Sequence, residues 1–320
     1  MFDKIKTPVF LKDNSELEEQ LAVLKELRAS ASGEIAEKID NEIRNVDAGI
    51  FGEKSIHYEL ENSHIPMLII HDLYLEYNGL TAQIDYMIFT RKHVYVIECK
   101  NLYGNIEINS NGDFIRTFNN GKYSKKEGIY SPITQNRRHL ELVKEIRGNE
   151  RSNFIARSLF DKNFYDTYRS LVVIANPKTV LYDRYAKKEV RSQVIKCDQL
   201  SEYIRRIDAS ADVAFSEKDM TGLAQYFLAL HKDNKTDYTE KYRSLLEAQD
   251  ENTKSETQSN TELVNNTVII CPKCGSPMVK RIASRGQNAG QEFYGCSRFP
   301  ACRSIIQIQE TATAETQEKF

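Results

Sequence analysis

The segment from Thr81 to Asn101, with the sequence TAQIDYMIFTRKHVYVIECKN, constrains the fold more than any other part of the chain. Its two runs of β-branched and aromatic residues, Ile84–Phe89 and Val94–Cys99, flank a short polar break, which is the pattern of a β-hairpin. Strand alternation predicts one apolar face with Met87 and another that includes Ile84. A sheet that is apolar on both faces is normally covered on both sides. The sequence therefore predicts an α/β fold, with a sheet covered on both faces.

Three charged residues stand near one end of this hairpin. With Arg91 and Lys92 as a two-residue turn, the register sets Asp85 opposite Glu98, and strand alternation places Lys100 on the same face. Such charges are costly to bury unless they are paired or bind a metal. The residues alone leave two interpretations open: a cross-strand salt bridge on an edge hairpin, or a catalytic cluster.

Composition limits the class of protein. At 320 residues the chain can form one sizeable core and a smaller module. A hydrophobic content of 40% and a net charge of -2 are typical of a soluble globular protein without a generally basic surface. No apolar stretch approaches the ~20 residues that span a bilayer. The start, MFDKIKTPVF, lacks the apolar core of a secretion signal. We expect a cytoplasmic protein with reduced cysteines.

Helical periodicity marks the N-terminal part of the chain. Residues 15–47 have the pattern of a helical hairpin broken at Gly33. This pair is either a core-packing arm, which we favour, or an oligomerisation element. A new helix is expected to open at Gly49. It places Glu53 on its apolar face, which is unusual for a carboxylate.

The middle of the chain predicts a loop and then a helix. A polar loop is expected around Asn119 to Gly121. Ser131 followed by Pro132 has the form of a helix N-cap and first helical residue. The helix that begins there places Gln135 and His139 on one side, and we interpret His139 as a half-buried structural histidine rather than a substrate contact.

Four short blocks in this region resemble one family. The chain has GIFGE at 49–53, QIDY at 83–86, VIECKN at 96–101 and SPITQN at 131–136. In this order the blocks resemble the nuclease-related domain, NERD, which is placed among the PD-(D/E)xK nucleases. A lone ExK triplet is common by chance, whereas four ordered blocks are not. The proline of the family's PD dipeptide is Ile84 here, and the chemistry needs only the aspartate.

The resemblance implies a restriction-endonuclease-like fold, in which a mixed sheet is flanked by helices, with a catalytic metal site. Asp85 and Glu98 would be metal ligands together with the backbone carbonyl of Cys99. Hard oxygen ligands of this kind suit Mg²⁺ or Mn²⁺. Lys100 would orient the attacking water or stabilise negative charge.

Two further residues would reach the same pocket from helices, according to the resemblance. Glu53 would be an outer ligand or a ligand of a second metal, which accounts for a carboxylate on an apolar helix face. Gln135 would lie at the rim and position Lys100, water or phosphate. The implied activity is that of a Mg²⁺- or Mn²⁺-dependent deoxyribonuclease that hydrolyses phosphodiester bonds.

A cysteine cluster near the C-terminus predicts a second metal site. Cys271 and Cys274 form a C-x-x-C turn followed by glycine, and Cys296 and Cys302 supply the second pair. Four thiolates at this spacing match a closed tetrahedral Zn²⁺ site, without which so small a module could scarcely fold. Four unrelated thiols are the disfavoured alternative.

The strings CPKCGSPMV and FYGCSRFPACRSI resemble the DNA-binding zinc ribbons at the C-termini of bacterial type IA topoisomerases. Basic residues of such a ribbon would track phosphates while aromatic residues stack on unpaired bases. Some of the aromatic residues must instead form the small core, and a protein-binding ribbon is the main alternative. The candidate DNA-binding residues are Lys280, Arg281, Arg285, Phe293, Tyr294, Arg298 and Phe299.

Residues 233–266 are rich in polar and charged residues, which predicts a flexible linker with a helical start near Tyr242. The expected domains are a helical arm at 1–48, a NERD nuclease-like domain at 49–232, this linker, a C4 zinc ribbon at 267–308 and a disordered tail at 309–320.

The leading functional hypothesis is a metal-dependent DNA nuclease whose zinc ribbon binds DNA, including single-stranded regions, with no membrane partner. The alternative is a nucleic-acid-binding or adaptor protein whose nuclease fold is weakly active or silent. RNA is a third and less favoured substrate.

Overall fold

A computed structural model of the chain describes residues 4–119, 123–151, 153–212, 214–249, 269–283 and 288–307. The chain divides into two compact units, residues 1–246 and residues 247–320. Among the described residues, no helix combines the length and the apolar character needed to cross a membrane.

A six-stranded mixed sheet forms the centre of the first unit. The three neighbouring strands β2, β3 and β4 are antiparallel, and the outer strands join them in parallel. The mixed sheet expected from the sequence is confirmed. In spatial order its strands are β1 Pro8–Lys12, β2 Met67–Tyr77, β3 Leu80–Phe89, β4 Val94–Lys100, β8 Tyr168–Ile174 and β10 Val194–Lys196.

Helices cover both faces of this sheet, as its two apolar faces require. One face packs against α2 and α6, and the other packs against α3, α4 and α7. The helices are α1 Glu16–Ser30, α2 Gly33–Glu61, α3 Pro132–Asn149, α4 Phe154–Thr167, α5 Lys188–Arg191, α6 Leu200–Ala209 and α7 Glu217–Ala229.

Helix α2 is continuous, so the expectation that a new helix opens at Gly49 is wrong. A glycine inside a helix lowers helix stability by only about 1 kcal/mol relative to alanine. Gly52 is therefore tolerated inside α2, where it permits close packing. A Cβ atom at Gly52 would lie 2.8 Å from Cβ of Asn101 and 3.0 Å from Sγ of Cys99. The missing side chain therefore lets α2 approach the end of β4, and it brings Glu53 with it.

A second sheet lies beside the first, with the order β7-β6-β5-β9. The expectation of a polar loop around Asn119 missed two of its strands, because β6 and β7 pair as an antiparallel hairpin on either side of residues 120–122. Strand β7 contains a single large apolar residue, Ile129, and β6 does not alternate regularly between polar and apolar residues, so neither segment gave a clear strand signal. The strands are β5 Asn105–Ile108, β6 Phe114–Asn119, β7 Ser124–Ile129 and β9 Leu181–Tyr182.

Part of the segment expected to be a flexible linker is folded onto the helical arm. Residues 240–249 are helical, and Tyr242 is buried against apolar side chains of α1 and α2. The Tyr242 hydroxyl donates to Oε2 of Glu42 at 3.0 Å. The rest of the expected linker, 250–266, and the expected tail, 309–320, lie outside the described residues.

The second unit contains a three-stranded antiparallel sheet. Its small core is formed by three cysteines and Met278. The strands are β11 Met278–Ile282, β12 Glu292–Cys296 and β13 Ile305–Gln307.

Asn136 attaches α3 to the central sheet. It is fully buried, and its amide nitrogen Nδ2 donates to the carbonyl oxygens of Val96 at 2.8 Å and Leu171 at 3.2 Å, and to Oγ of Ser170 at 3.0 Å. These acceptors lie on the paired strands β4 and β8. A single side chain thus sets the position of α3 relative to both strands.

We predict that Asn136→Ala lowers the free energy of unfolding by about 1–3 kcal/mol, because buried carbonyls of β4 and β8 lose their partner. Urea unfolding followed by the helical circular dichroism signal measures this loss. The matched control is Asn163→Ala on the surface of α4, where an exposed amide bonds its own helix and the change should stay within about 0.5 kcal/mol. Equal effects of the two substitutions would contradict the role of Asn136.

Candidate functional sites

The β3–β4 hairpin has the register expected from the sequence. The regular pairing ends at Tyr86 with Ile97, and one further step sets Asp85 against Glu98. The Oδ2 atom of Asp85 accepts a hydrogen bond from the backbone N–H of Cys99 at 2.6 Å. The structure therefore brings the two carboxyl groups to the same end of the sheet.

Strand alternation breaks at this point, so the expectation that Ile84 and Met87 lie on opposite faces is wrong. Both pack in the same apolar cluster, together with Leu73 of β2. In β2, opposite Asp85, the backbone of Asp72 is left-handed with φ 54°. This conformation costs of order 1–3 kcal/mol for a residue other than glycine, and a sequence pattern of period two does not reveal it.

Hydrogen bonds from the arm hold the irregular backbone at Asp72. Its Oδ2 accepts from the backbone N–H of Glu16 at 2.8 Å, and its Oδ1 accepts from Nε2 of Gln83 at 2.8 Å. Nζ of Lys12 donates to the Asp72 carbonyl oxygen at 2.8 Å. The backbone beside Asp85 is thereby set by the N-terminal segment.

Glu98 is a buried carboxylate with incomplete partners. It is 2% exposed, and Nζ of Lys100 lies 2.6 Å from its Oε1. Its Oε2 has no hydrogen-bond partner, although Nδ1 of His139 is 3.6 Å away. Burial raises the pKa of Glu98, and the Lys100 ammonium offsets this only in part.

Asp85 shares its surroundings with two other carboxylates. Burial raises the pKa of Asp85 well above its usual value, and the negative charges of Glu98 and Glu53 raise it further. The Cys99 N–H and the Lys100 ammonium act in the opposite direction but are weaker. Negative charge is therefore under-compensated here, which is the electrostatic condition of a cation site.

Glu53 reaches the same cavity from α2. Its Oε2 lies 3.0 Å from Nε2 of His71, and its backbone carbonyl accepts from the Tyr86 hydroxyl at 2.9 Å. The rings of His71 and Tyr86 are stacked at 4.4 Å. Sequence reasoning missed His71, for which the only signal was a histidine inside an apolar strand.

Helix α3 supplies Gln135 and His139 to this region. Ser131 caps the helix as expected, with its Oγ accepting from the backbone N–H of Thr134 at 3.3 Å. Gln135 lines a cavity of about 710 Å³ together with Glu53, Asp85, Glu98 and Lys100. The His139 side chain is 12% exposed and lies beside Glu98. His139 is therefore closer to the carboxylates than the sequence indicated.

The donor set at the end of β4 fits a hard divalent cation. Glu98 offers an unpartnered carboxylate oxygen, and Asp85 keeps its Oδ1 while Oδ2 accepts from Cys99. Because a strand residue directs its N–H and C=O to the same side, the Cys99 carbonyl also points toward Asp85. Carboxylate and carbonyl oxygens are the ligands that Mg²⁺ and Mn²⁺ prefer.

Glu53, Asp85 and Glu98 do not form a close ligand cluster. Within the described ranges, only the four cysteines place three or more ligand atoms within 4.8 Å of one another. The three carboxylates therefore do not place one oxygen each this close together.

The four cysteines of the second unit form a compact metal site. The Sγ atoms of Cys271 and Cys302 are 3.8 Å apart, those of Cys274 and Cys296 are 3.4 Å apart, and all four lie within 4.8 Å of one another. A tetrahedral ion with Zn–S distances of about 2.3 Å requires sulfur–sulfur separations of about 3.8 Å. The arrangement suits structural zinc.

The ribbon directs its aromatic residues to two different sides. Tyr294 packs against the cysteine core, whereas its neighbour Phe293 lies on the opposite face, paired with Arg281. Phe299 is exposed, and the guanidinium of Arg281 lies 5.9 Å from its ring centroid. Phe293 and Phe299 are thus better placed than Tyr294 to contact a ligand.

The candidate basic residues of the ribbon differ in their pairing. Nζ of Lys280 lies 2.6 Å from Oε2 of Glu292. Arg298 is exposed, and its backbone N–H donates to Sγ of Cys296 at 3.4 Å. Arg285 lies outside the described residues.

We predict that His139 makes the protein sensitive to acid. Burial and the Lys100 ammonium lower the pKa of His139 from 6.5 to about 4. Between these values the unfolded chain binds a proton that the folded protein excludes, so stability falls as pH drops from 6.5 to about 4. His139→Gln should remove up to about 3 kcal/mol of this loss.

Urea unfolding of the wild type and of His139→Gln across this pH range measures the difference. Above pH 7 the two stability curves should run parallel, because histidine is then neutral in both states. Parallel curves down to pH 4 would show that His139 is not held neutral by its surroundings.

We also predict that the chain binds zinc at a one-to-one ratio, and that Cys302→Ser weakens zinc retention because one of four thiolates is lost. Zinc released on thiol modification can be quantified with a chromogenic chelator. Cys197→Ser is the control, since Cys197 is a buried thiol in the core of the first unit. Equal zinc loss in both variants would argue against the four-cysteine site.

Comparisons with known families match two regions of the chain. Residues 48–175 match the model described as Nuclease-related domain, and residues 268–311 match the model described as Topoisomerase DNA binding C4 zinc finger. No curated protein and no solved structure matches the chain. Both resemblances expected from the sequence are confirmed. The chain therefore combines a region similar to the nuclease-related domain with a C-terminal region similar to the topoisomerase C4 zinc ribbon.

Proposed function

We propose that this protein is a metal-dependent nuclease that hydrolyses phosphodiester bonds of DNA, and that its zinc ribbon binds DNA. The observation that carries the proposal is the buried, unpartnered Oε2 of Glu98 beside Asp85. A buried anion of this kind needs a positive partner, and the ammonium of Lys100 bonds the other oxygen. The match of residues 48–175 to a nuclease-related domain supports the same activity.

The carboxylates of Asp85 and Glu98, with the Cys99 carbonyl, would hold the divalent ion. A bound cation would supply positive charge that activates a water molecule and offsets the charge developing on the phosphate. The protein's part is to keep these oxygens fixed. The Cys99 N–H does so for Asp85, and burial in the central sheet does so for Glu98.

Lys100, Glu53 and Gln135 would act on the attacking water or on the substrate. Once Glu98 engages a cation, the Lys100 ammonium is free to turn toward water or a phosphate oxygen, as a mobile donor can. Glu53, held by His71, would orient water from the outer position. Gln135 lines the same cavity, and it would position phosphate or Lys100.

The ribbon would provide affinity rather than catalysis. Its exposed Arg281, Arg298 and Phe299 offer cations for phosphates and a ring for an unpaired base. Both units belong to one chain, so a DNA bound by the ribbon is at raised local concentration for the nuclease-like unit.

We predict that Asp85→Asn, Glu98→Gln and Lys100→Met each lower Mn²⁺-dependent DNA cleavage by about 100-fold or more, because each removes a charge from the reacting centre. Cleavage of radiolabelled single-stranded and duplex DNA measures the effect. The control is Glu76→Gln, a carboxylate of the same sheet that pairs with Lys232 at its surface, which should retain full activity. Full activity in all three site variants would falsify the proposal.

Calorimetric titration with Mn²⁺ separates the nuclease from a silent nucleic-acid-binding fold. The wild type and Glu76→Gln should bind Mn²⁺ at the nuclease-like unit, and Asp85→Asn should not. Metal binding that is independent of both Asp85 and Glu98 would support the silent alternative.

A further inference from the structure

The β6–β7 hairpin has a face that begins in the core and ends in solvent. Phe114 is buried, and strand alternation places Arg116 and Phe118 on the same face, farther along β6. The register sets Phe118 opposite Lys125 and Arg116 opposite Glu127. The outer part of this face therefore presents a ring and cations beyond the apolar core.

The loop that follows the candidate site is built against this ring. Tyr103 comes three residues after Lys100, is 68% exposed, and has its ring centroid 6.5 Å from that of Phe118. The next residue, Gly104, has φ 96°, and a Cβ atom there would lie 2.6 Å from the carbonyl oxygen of Thr117. Glycine permits this approach, so Gly104 lets the loop that carries Tyr103 pack against the strand that carries Phe118.

Two cations accompany the ring of Phe118. The guanidinium carbon of Arg116 lies 5.3 Å and Nζ of Lys125 lies 5.6 Å from its centroid. Both share one carboxylate, Glu127, so the group retains net positive charge. An aromatic ring with cations beside it offers stacking and phosphate contacts together.

A second aromatic and basic pair lies at the start of α3. Tyr130 is 59% exposed and directly precedes the helix N-cap. The guanidinium carbon of Arg138 lies 5.7 Å from its ring centroid. Arg138 is exposed and adjoins His139 in sequence. One exposed tyrosine thus lies in the loop after β4, and another lies just before α3.

We infer that these residues form a binding surface for unpaired nucleotides, whose bases stack on the tyrosines while phosphates meet the cations. We call it the aromatic–basic surface. It consists of Tyr103, Phe118, Lys125, Tyr130 and Arg138.

A single strand fits this surface better than a duplex. Stacking needs the flat face of a base, which a duplex hides except at its ends, and every base has such a face. The inference rests on the proposed function for the identity of its substrate. It adds that the nuclease-like unit itself engages single-stranded nucleic acid, independently of the ribbon.

Binding of fluorescein-labelled oligodeoxythymidylate to the full-length protein, without added Mg²⁺ or Mn²⁺, tests the surface. Tyr103→Ala should weaken this binding about 5- to 100-fold, the range for loss of one stacked base, and leave binding of blunt duplex unchanged. Lys125→Gln should lower the salt dependence of binding. The control is Tyr58→Ala, an equally exposed tyrosine on α2 outside the surface.

Photocrosslinking of the wild type with oligonucleotides carrying 5-iododeoxyuridine locates the contact. Adducts in the peptides of Tyr103 or Tyr130 support the surface. Unchanged affinity of Tyr103→Ala, equal loss for single strand and duplex, or adducts confined to ribbon residues such as Phe293 and Phe299 would each overturn it.

These measurements distinguish the aromatic–basic surface from the proposed nuclease activity, because binding is measured without cleavage. A protein that crosslinks at Tyr103 but cuts no DNA retains the surface and loses the nuclease assignment. A protein whose cleavage requires Asp85 but whose Tyr103→Ala variant binds and cuts like the wild type retains the nuclease and loses the surface.

Discussion

Glu98 lies in the interior at the end of β4 with one oxygen bonded by Lys100 and the other without a partner. Removing an ion from water costs several kcal/mol even after the protein relaxes, and this arrangement recovers only part of that cost. Asp85 and Glu53 add negative charge to the same region, and burial together with the charges of Glu98 and Glu53 raises the pKa of Asp85. The protein maintains this unfavourable cluster at the end of a sheet that helices cover on both sides. A bound divalent cation would offset the negative charge of this cluster, and the proposed chemistry depends on such a cation.

The site is assembled by contacts between layers. Gly52 allows α2 to approach the end of β4, which delivers Glu53, and His71 then fixes the carboxylate. From the other side, Asn136 ties α3 to β4 and β8, which delivers Gln135 and His139. Each helix is therefore anchored by a small or polar residue close to the group it presents. Positions fixed in this way on regular elements are more exact than positions on loops.

Charge is distributed unevenly over the first unit. The cavity that contains Asp85 and Glu98 is lined by more carboxylates than cations, so it attracts metal ions and repels phosphates. Attraction of a polyanion must then come from outside the cavity. The aromatic–basic surface next to the β4 loop can supply it within the first unit, and the exposed arginines of the ribbon can supply it within the second. Rings are present in both places, so both can bind unpaired bases.

The sequence by itself determined the β3–β4 hairpin, its register and the four-cysteine site, because these follow from local spacing and from the period of a strand. It also determined the two-sided helical cover, since the central strands are apolar on both faces. Only the tertiary structure decided the rest. Helix α2 continues through Gly49 and Gly52 because it packs closely against its neighbours, and the presence of two glycines in the sequence does not reveal this packing. The break in alternation opposite Asp72 and the partnership of His71 with Glu53 arise from contacts between residues distant in the chain, whose energies no local pattern contains.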